Sequence, residues 1–345
     1  MVGSKTRHTS WRRQRATSGA DAPGRHGSSM TRVVVVGLPR SGTTWVAQVL
    51  CAAFGAAYVD EPDNHFRFAY AYRAKRKLRR GPYPEVAAAD EDLAETEFAA
   101  LWHHAFAAGR LRAEQRLSRR LANRLVARAG GRAVDTLDGD SPGGSLVLAQ
   151  RLAVPERASQ SSPIVVVKSV YAPLCTGWIS SRYDARTVVV VRRTLEVVAS
   201  WVALGWLRSR APDPLSSVPP ELIERLAARH AVGGPPATRL GRATWLIEAF
   251  QRELAVSAQR SPQWAYVTHE RLYRSPLEEF PLLASVVGIP WTSAGDRAVA
   301  AGRRPGKGYD TNRVTSQLDD AWQGRLTGEE ASEITRVVES FARLQ

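Results

Sequence analysis

The chain has 345 residues, a formal net charge of +15 and a hydrophobic share of 44%, enough for one large core with insertions or two smaller ones. No apolar run approaches the ~20 residues of a membrane-spanning helix, and two cysteines, Cys51 and Cys175, exclude a disulfide framework; they predict buried thiols in a reducing, cytoplasmic compartment. The positive excess admits an anionic ligand, a nucleic acid or a membrane surface, and composition does not choose among them.

Residues 1–29 carry Lys5, Arg7, Arg12, Arg13, Arg15 and Arg25 against Asp21 alone, are rich in Ser, Gly and Thr, and read as a disordered basic tail. Arg12-Arg13 is followed by no apolar stretch, so an export signal is not read there, and Met30 is an alternative starting point. From Met30 onward β-branched runs alternate with helical patterns. Arg32–Val36 reads as a buried strand, Thr44–Phe54 as a helix with Trp45, Val46, Val49 and Leu50 inward, and Ala56–Val59 as a weaker strand. A long, mostly helical region from Asp90 to Ala129 falls within an insertion at about residues 66–157, and the basic run RAKRKLRR (Arg73–Arg80) precedes it. That run reads as a solvated helix face, with attraction of an anionic sugar or lipid headgroup as the alternative. Strands at Ile164–Lys168, Thr187–Val191 and Trp264–Thr268 follow. Helices are read at Cys175–Tyr183, Leu195–Leu204, Arg239–Gln259 (Trp245, Leu246, Phe250 and Leu254 inward), Leu277–Val287 and Thr327–Leu344. The alternation predicts an α/β fold: a three-layer sandwich with a central, mostly parallel sheet and helices on both faces, residues 30–345 forming one domain. In such sheets ligands sit at the carboxyl ends of the strands.

After the first strand comes Gly37-Leu38-Pro39-Arg40-Ser41-Gly42-Thr43-Thr44. Two glycines let successive backbone N–H groups turn inward around an anion, the following helix adds its free N–H groups, and Arg40 adds a planar charged fork. The spacing fits the ATP-binding loop G-x-x-x-x-G-K-[ST], but Thr43 stands in the lysine slot and the loop holds no other lysine. The expected ligand is therefore a shorter anionic chain, without a γ-phosphate or an obligatory Mg²⁺.

PRSGTTW resembles the 5′-phosphosulfate loop of sulfotransferases that use 3′-phosphoadenosine 5′-phosphosulfate (PAPS). The resemblance implies that Arg40 contacts the bridging oxygen and the sulfuryl group, that Thr43 and Thr44 bond the 5′-phosphate with Ser41 and Gly42 completing the loop, and that Trp45 stacks on adenine. Arg192 ends the Thr187–Val191 strand, and Ser200 follows eight residues later, two turns into the next helix. This resembles the family's 3′-phosphate motif and implies that Arg192 and Ser200 bind that group, with Arg193 the adjacent alternative. Arg303–Arg313 (RRPGKGYDTNR) is loosely similar to a late loop over the nucleotide, with Lys307 and Arg313 as the candidates.

Sulfuryl transfer needs a base near the acceptor hydroxyl. Some family members carry a histidine two residues after a strand-end lysine; here the lysine is Lys168 and that place holds Val170. Lys168 can still reach the reacting groups. The segment Val59-Asp60-Glu61-Pro62-Asp63-Asn64-His65 resembles the glutamate segment of other members, which makes Glu61 the expected base, with Asp60 and His65 as alternatives. The expected acceptor is a hydroxyl of a small molecule: a specialised metabolite, sugar or lipid. Val198–Trp206, VASWVALGW, resembles a bacterial branch of the family, and the Ala- and Arg-rich usage suggests a high-GC bacterium. An ATP-using kinase lacks its loop lysine. A nucleic-acid-binding module lacks aromatics within its basic runs, so no nucleic-acid partner is expected. No histidine–cysteine pattern suggests a metal, and the oligomeric state is open, a homodimer included.

Overall fold

The computed structural model describes residues 30–137, 141–302 and 322–342; the basic tail, Lys307 and Arg313 lie outside them. Strand β1 (Thr31–Gly37) leads into helix α1 (Thr43–Phe54) and strand β2 (Ala57–Asp60). Five helices then intervene: α2 (Ala69–Leu78), α3 (Glu97–Ala105), α4 (Ala113–Ala129), α5 (Gly131–Asp135) and α6 (Gly144–Arg151). Next come β3 (Ile164–Ser169), α7 (Thr176–Tyr183), β4 (Arg186–Val191), α8 (Thr194–Ala203), α9 (Pro220–Arg229) and α10 (Arg239–Arg260). The chain continues through β5 (Ala265–Thr268), α11 (His269–Arg274), α12 (Pro276–Val286), α13 (Ser293–Gly302) and α14 (Gly328–Ala342).

The five strands form one sheet in the order β2-β3-β1-β4-β5, every pair parallel. Successive strand residues face opposite sides, so the valine run of β1 divides between two layers. Val34 and Val36 pack with Phe98, Trp102 and Trp178, whereas Val33 and Val35 pack with Val46, Leu50 and Phe280. All four valines are fully buried, as a strand covered on both faces requires. Two further apolar clusters extend the body: α8, α9, α10 and α14 meet around Trp245, Phe250 and Phe341, and α2, α4, α5 and α6 meet around Tyr72 and Val126.

The mostly helical region read from Asp90 to Ala129 holds two helices, α3 and α4. Between them Ala108 forms a parallel bridge to Ala158, which a continuous helix would prevent. The basic run is a solvated face only in part: Lys77, Arg79 and Arg80 are exposed, but most of its cations are engaged within the protein. Lys75 is wholly buried, and Arg73 and Lys77 both pair with Glu97 at 2.7 Å. Arg76 donates to the Thr136 carbonyl, and Arg80 pairs with Asp90 at 3.0 Å. These cations knit the inserted helices together.

Both cysteines are free, Cys175 buried and Cys51 half-buried; burial pushes the Cys51 thiol up to about 12 and the Cys175 thiol upward as well. Neither is a thiolate near neutrality. Among the described residues no helix is long and apolar enough to cross a membrane.

Candidate active site

A cavity of about 660 Å³ opens at the carboxyl ends of the strands. Every strand supplies its wall: Arg40 follows β1, Glu61 β2, Tyr171 β3, Arg192 β4 and His269 β5. This is where the sheet order reverses around β1, the usual ligand position in doubly wound folds.

The loop between β1 and α1 is shaped by close contacts. A Cβ at Gly37 would lie 2.4 Å from the Val190 carbonyl oxygen; at Gly42, whose φ is 96°, it would lie 2.3 Å from the His269 ring. Only glycine fits either place. Ser41 is fully buried and its hydroxyl donates to the Leu38 carbonyl at 2.8 Å, so that side chain holds the turn instead of facing the cavity. Helix α1 opens with no side-chain cap and no acidic residue in its first turn. Its first N–H groups and the positive end of its dipole therefore face the cavity beside Thr43 and Thr44, both of which line it.

Arg40 and Ser200, distant in sequence, meet here: Arg40 Nε donates to Ser200 Oγ at 3.0 Å. Two more contacts grip the loop: Trp201 Nε1 of helix α8 donates to the Pro39 carbonyl (3.2 Å), and Arg192 Nη1, just after β4, donates to the Arg40 carbonyl (3.3 Å). Helix α10 fixes the β4–α8 turn: Gln251 Oε1 accepts from Arg192 N at 3.0 Å, while its amide donates to Thr194 Oγ1 at 2.8 Å. Arg192 Nε is buried with no partner among the described residues, and burial pushes the guanidinium below its usual range. Glu196, which sequence reasoning missed, pairs with both Arg192 (3.3 Å) and Arg193 (3.1 Å). Burial raises its pKa against the pull of the two arginines.

Across the cavity, the Lys168 ammonium contacts Glu61 Oε1 and lies 3.3 Å from Asp60 Oδ1. Asn64 Nδ2 donates to the other Glu61 oxygen at 2.7 Å, and Glu61 N donates to the Lys168 carbonyl at 2.7 Å. Of the three carboxylate and histidine candidates, only Glu61 lines the cavity. For Asp60, burial acts to raise the pKa, but Lys168, the Tyr58 hydroxyl and Arg67 outweigh it and hold the carboxyl below its ordinary value. His65 is sealed off at 0% exposure behind Phe66 and Tyr171, and burial with Lys75 nearby drives it well below the usual histidine range. Val170 lines the cavity where a histidine was sought.

Three features were not read from the sequence. His269 follows the short strand β5, stacks on Tyr273 and meets Trp45 edge-on; burial, with Arg192 adding to it, pushes its pKa down to about 3. Trp45 is itself wedged edge-on against Phe280 at 4.9 Å, with Nε1 buried and unpartnered among the described residues. An aromatic wall of Phe66, Tyr83, Tyr171 and Trp206 closes the side of the cavity beyond Glu61. The tyrosine phenols stay neutral, since burial raises both. The isolated aromatics carried no motif, and only their assembly by four separate loops makes them a wall.

Fold and site together define a parallel α/β protein with a glycine-shaped loop and an uncapped helix start at the point where strand order reverses. No protein-family model matches the chain, and no curated protein matches its sequence. Among solved structures it is similar to the sulfotransferase domain from the curacin biosynthetic pathway, with 13% identity over 90% of this chain and 97% of that one and a TM-score of 0.42. It is also similar to mouse sulfotransferase SULT7A1 complexed with PAP (10% identity, 92% and 85% coverage, TM-score 0.39). A third is sulfotransferase STF9 from Mycobacterium avium (14% identity, 91% and 76% coverage, TM-score 0.37). These likenesses are distant, and the functional reading rests on the chain's own residues.

Proposed function

We propose that the chain is a sulfotransferase that moves the sulfuryl group of PAPS to a hydroxyl of a small molecule, through one catalytic domain beginning near residue 30. The observation that supports this reading is the contact between Arg40 and Ser200, because it joins the loop after β1 to the segment after β4 beside the cavity that Arg40 and Arg192 line. The donor set fits an anionic nucleotide: an uncapped helix start, Arg40, and Arg192 and Trp45 with buried unpartnered nitrogens. Gly42, Thr43 and Thr44 would hold the 5′ side, Arg192 and Ser200 the 3′-phosphate, and Trp45 the base; Lys307 and Arg313 stay candidates for covering it.

When bound, PAPS supplies the sulfuryl group and a phosphate leaving group. Arg40 and the first N–H groups of α1 stabilise negative charge at the loop. Glu61 takes the proton from the acceptor hydroxyl, held in place by Lys168 and Asn64. The aromatic wall excludes water and suits an acceptor with an apolar or ring-bearing body, such as a specialised metabolite.

The test is affinity for two nucleotides. Ser200→Ala should weaken adenosine 3′,5′-bisphosphate about tenfold, the loss of roughly one hydrogen bond to a charged group, and leave adenosine 5′-phosphosulfate within twofold. Equal losses for both would remove Ser200 from the 3′-phosphate site.

A further inference from the structure

We propose that a second cleft, beside the edge strand β2, binds an oxyanion ester: a phosphate or sulfate group carried by a soluble molecule or by a lipid headgroup. The cleft has a volume of about 590 Å³ and shares no lining residue with the strand-end cavity. Five arginines line it, Arg67, Arg119, Arg120, Arg124 and Arg157, against two carboxylates, Asp60 and Glu156. Those carboxylates are already engaged: Asp60 by Arg67 at 3.0 Å and Glu156 by Arg119 at 3.0 Å, with Asn123 at 3.4 Å from Glu156. Arg157 Nε is buried with no partner among the described residues. Arg120 and Arg124 stand one turn apart on the exposed face of α4, with Arg116 and Arg128 continuing the same row.

Like charges four residues apart on a helix repel, and guanidinium groups gathered around a concavity repel further. The basic run of α2 shows how this chain settles cations it uses for structure, giving Arg73, Lys75, Arg76, Lys77 and Arg80 a carboxylate or carbonyl. Among the described residues, the arginines of α4 that face the cleft have no such settlement beyond Arg119. A tetrahedral oxyanion with several acceptor oxygens satisfies planar forks arriving from α4 and from the segment before β3 at once. The site needs no nucleotide in the other cavity, so it stands apart from the catalytic reading.

The test uses inorganic pyrophosphate and vesicles containing phosphatidylglycerol as probes of the full chain. Arg120→Glu combined with Arg124→Glu, both on the solvent side of α4, should keep the far-ultraviolet circular dichroism and melting of the wild type. The same double variant should lose at least tenfold in calorimetric affinity for pyrophosphate if the ligand is soluble, or lose vesicle co-flotation if it is a headgroup. Arg40→Ala should retain the affected binding event, and so should the charge-matched Arg260→Glu with Arg336→Glu, both at exposed positions. The proposal is overturned if neither probe binds, if the α4 variant changes neither arm, or if the charge-matched control loses as much.

Discussion

Arg40 and Glu61 both hold left-handed backbone angles, with φ of 75° and 47°. A residue with a Cβ pays on the order of 1–2 kcal/mol for that conformation. At Arg40 the turn aims the guanidinium at Ser200, and at Glu61 it brings the carboxylate to Lys168 and Asn64. Glycine would relieve the strain at either place but would carry no charge. Glu61→Gln keeps the shape and removes the proton acceptor: turnover should fall about 10²–10⁴-fold while adenosine 3′,5′-bisphosphate affinity stays within twofold, measured by transfer assay and calorimetry. An unchanged rate would move the base elsewhere. Arg40 was legible in the sequence because it lies in a dense loop pattern just after the valine strand, and Glu61 because the segment after the weaker second strand resembles a known glutamate segment. His269 was not, although its strand was read, because no local pattern marks it and its packing on Gly42 joins the first and last strands of the sheet.

Among the elements, α2 and the turn before it carry a polar interior. Lys75 and Asp63 are both fully buried, their charged atoms 3.8 Å apart, and Lys75 donates to the Pro82 carbonyl at 2.7 Å while Asp63 accepts from Ser169 at 2.7 Å. Lys75 also lies 4.9 Å over the Tyr171 ring, so the pair ties the Glu61 turn to the aromatic wall. Burial opposes both charges, raising the Asp63 pKa and lowering that of Lys75. Lys75→Met alone leaves an uncompensated carboxylate and should cost about 3–5 kcal/mol in urea denaturation. Adding Asp63→Asn, which still accepts from Ser169, should restore most of it; additive losses would show that the ion pair is not the source of the coupling. A basic octet reads from sequence as a solvated face because its acceptors, Glu97, Asp90 and the carbonyls of Pro82, Glu85, Thr136 and Gln150, leave no pattern within the octet itself.

For the whole molecule, the valine runs made a parallel α/β sheet legible, but the order β2-β3-β1-β4-β5 depends on long crossovers that leave no local signal. The same global packing determines the acid response. His269 is held at about 3 and His65 well below its usual value, while both titrate near 6.5 in an unfolded chain. Between those values the unfolded state binds protons that the folded state refuses. Stability is therefore full above pH 6.5 and falls as the pH drops, by up to about 1.4 kcal/mol per unit for each histidine. Urea titrations at pH 7 and pH 5 should show the fall, and His269→Gln should make it shallower; identical slopes would mean that His269 is not held neutral.

The central claim is that the strand-end cavity receives a nucleotide bearing a 3′-phosphate and no γ-phosphate. Calorimetric titration of the full chain with adenosine 3′,5′-bisphosphate in the presence of a chelator tests it most directly. The account predicts saturable, one-site binding that Arg192→Ala weakens and that ATP with Mg²⁺ does not displace at equal concentration. Absence of that binding, or preference for ATP with Mg²⁺, would contradict it.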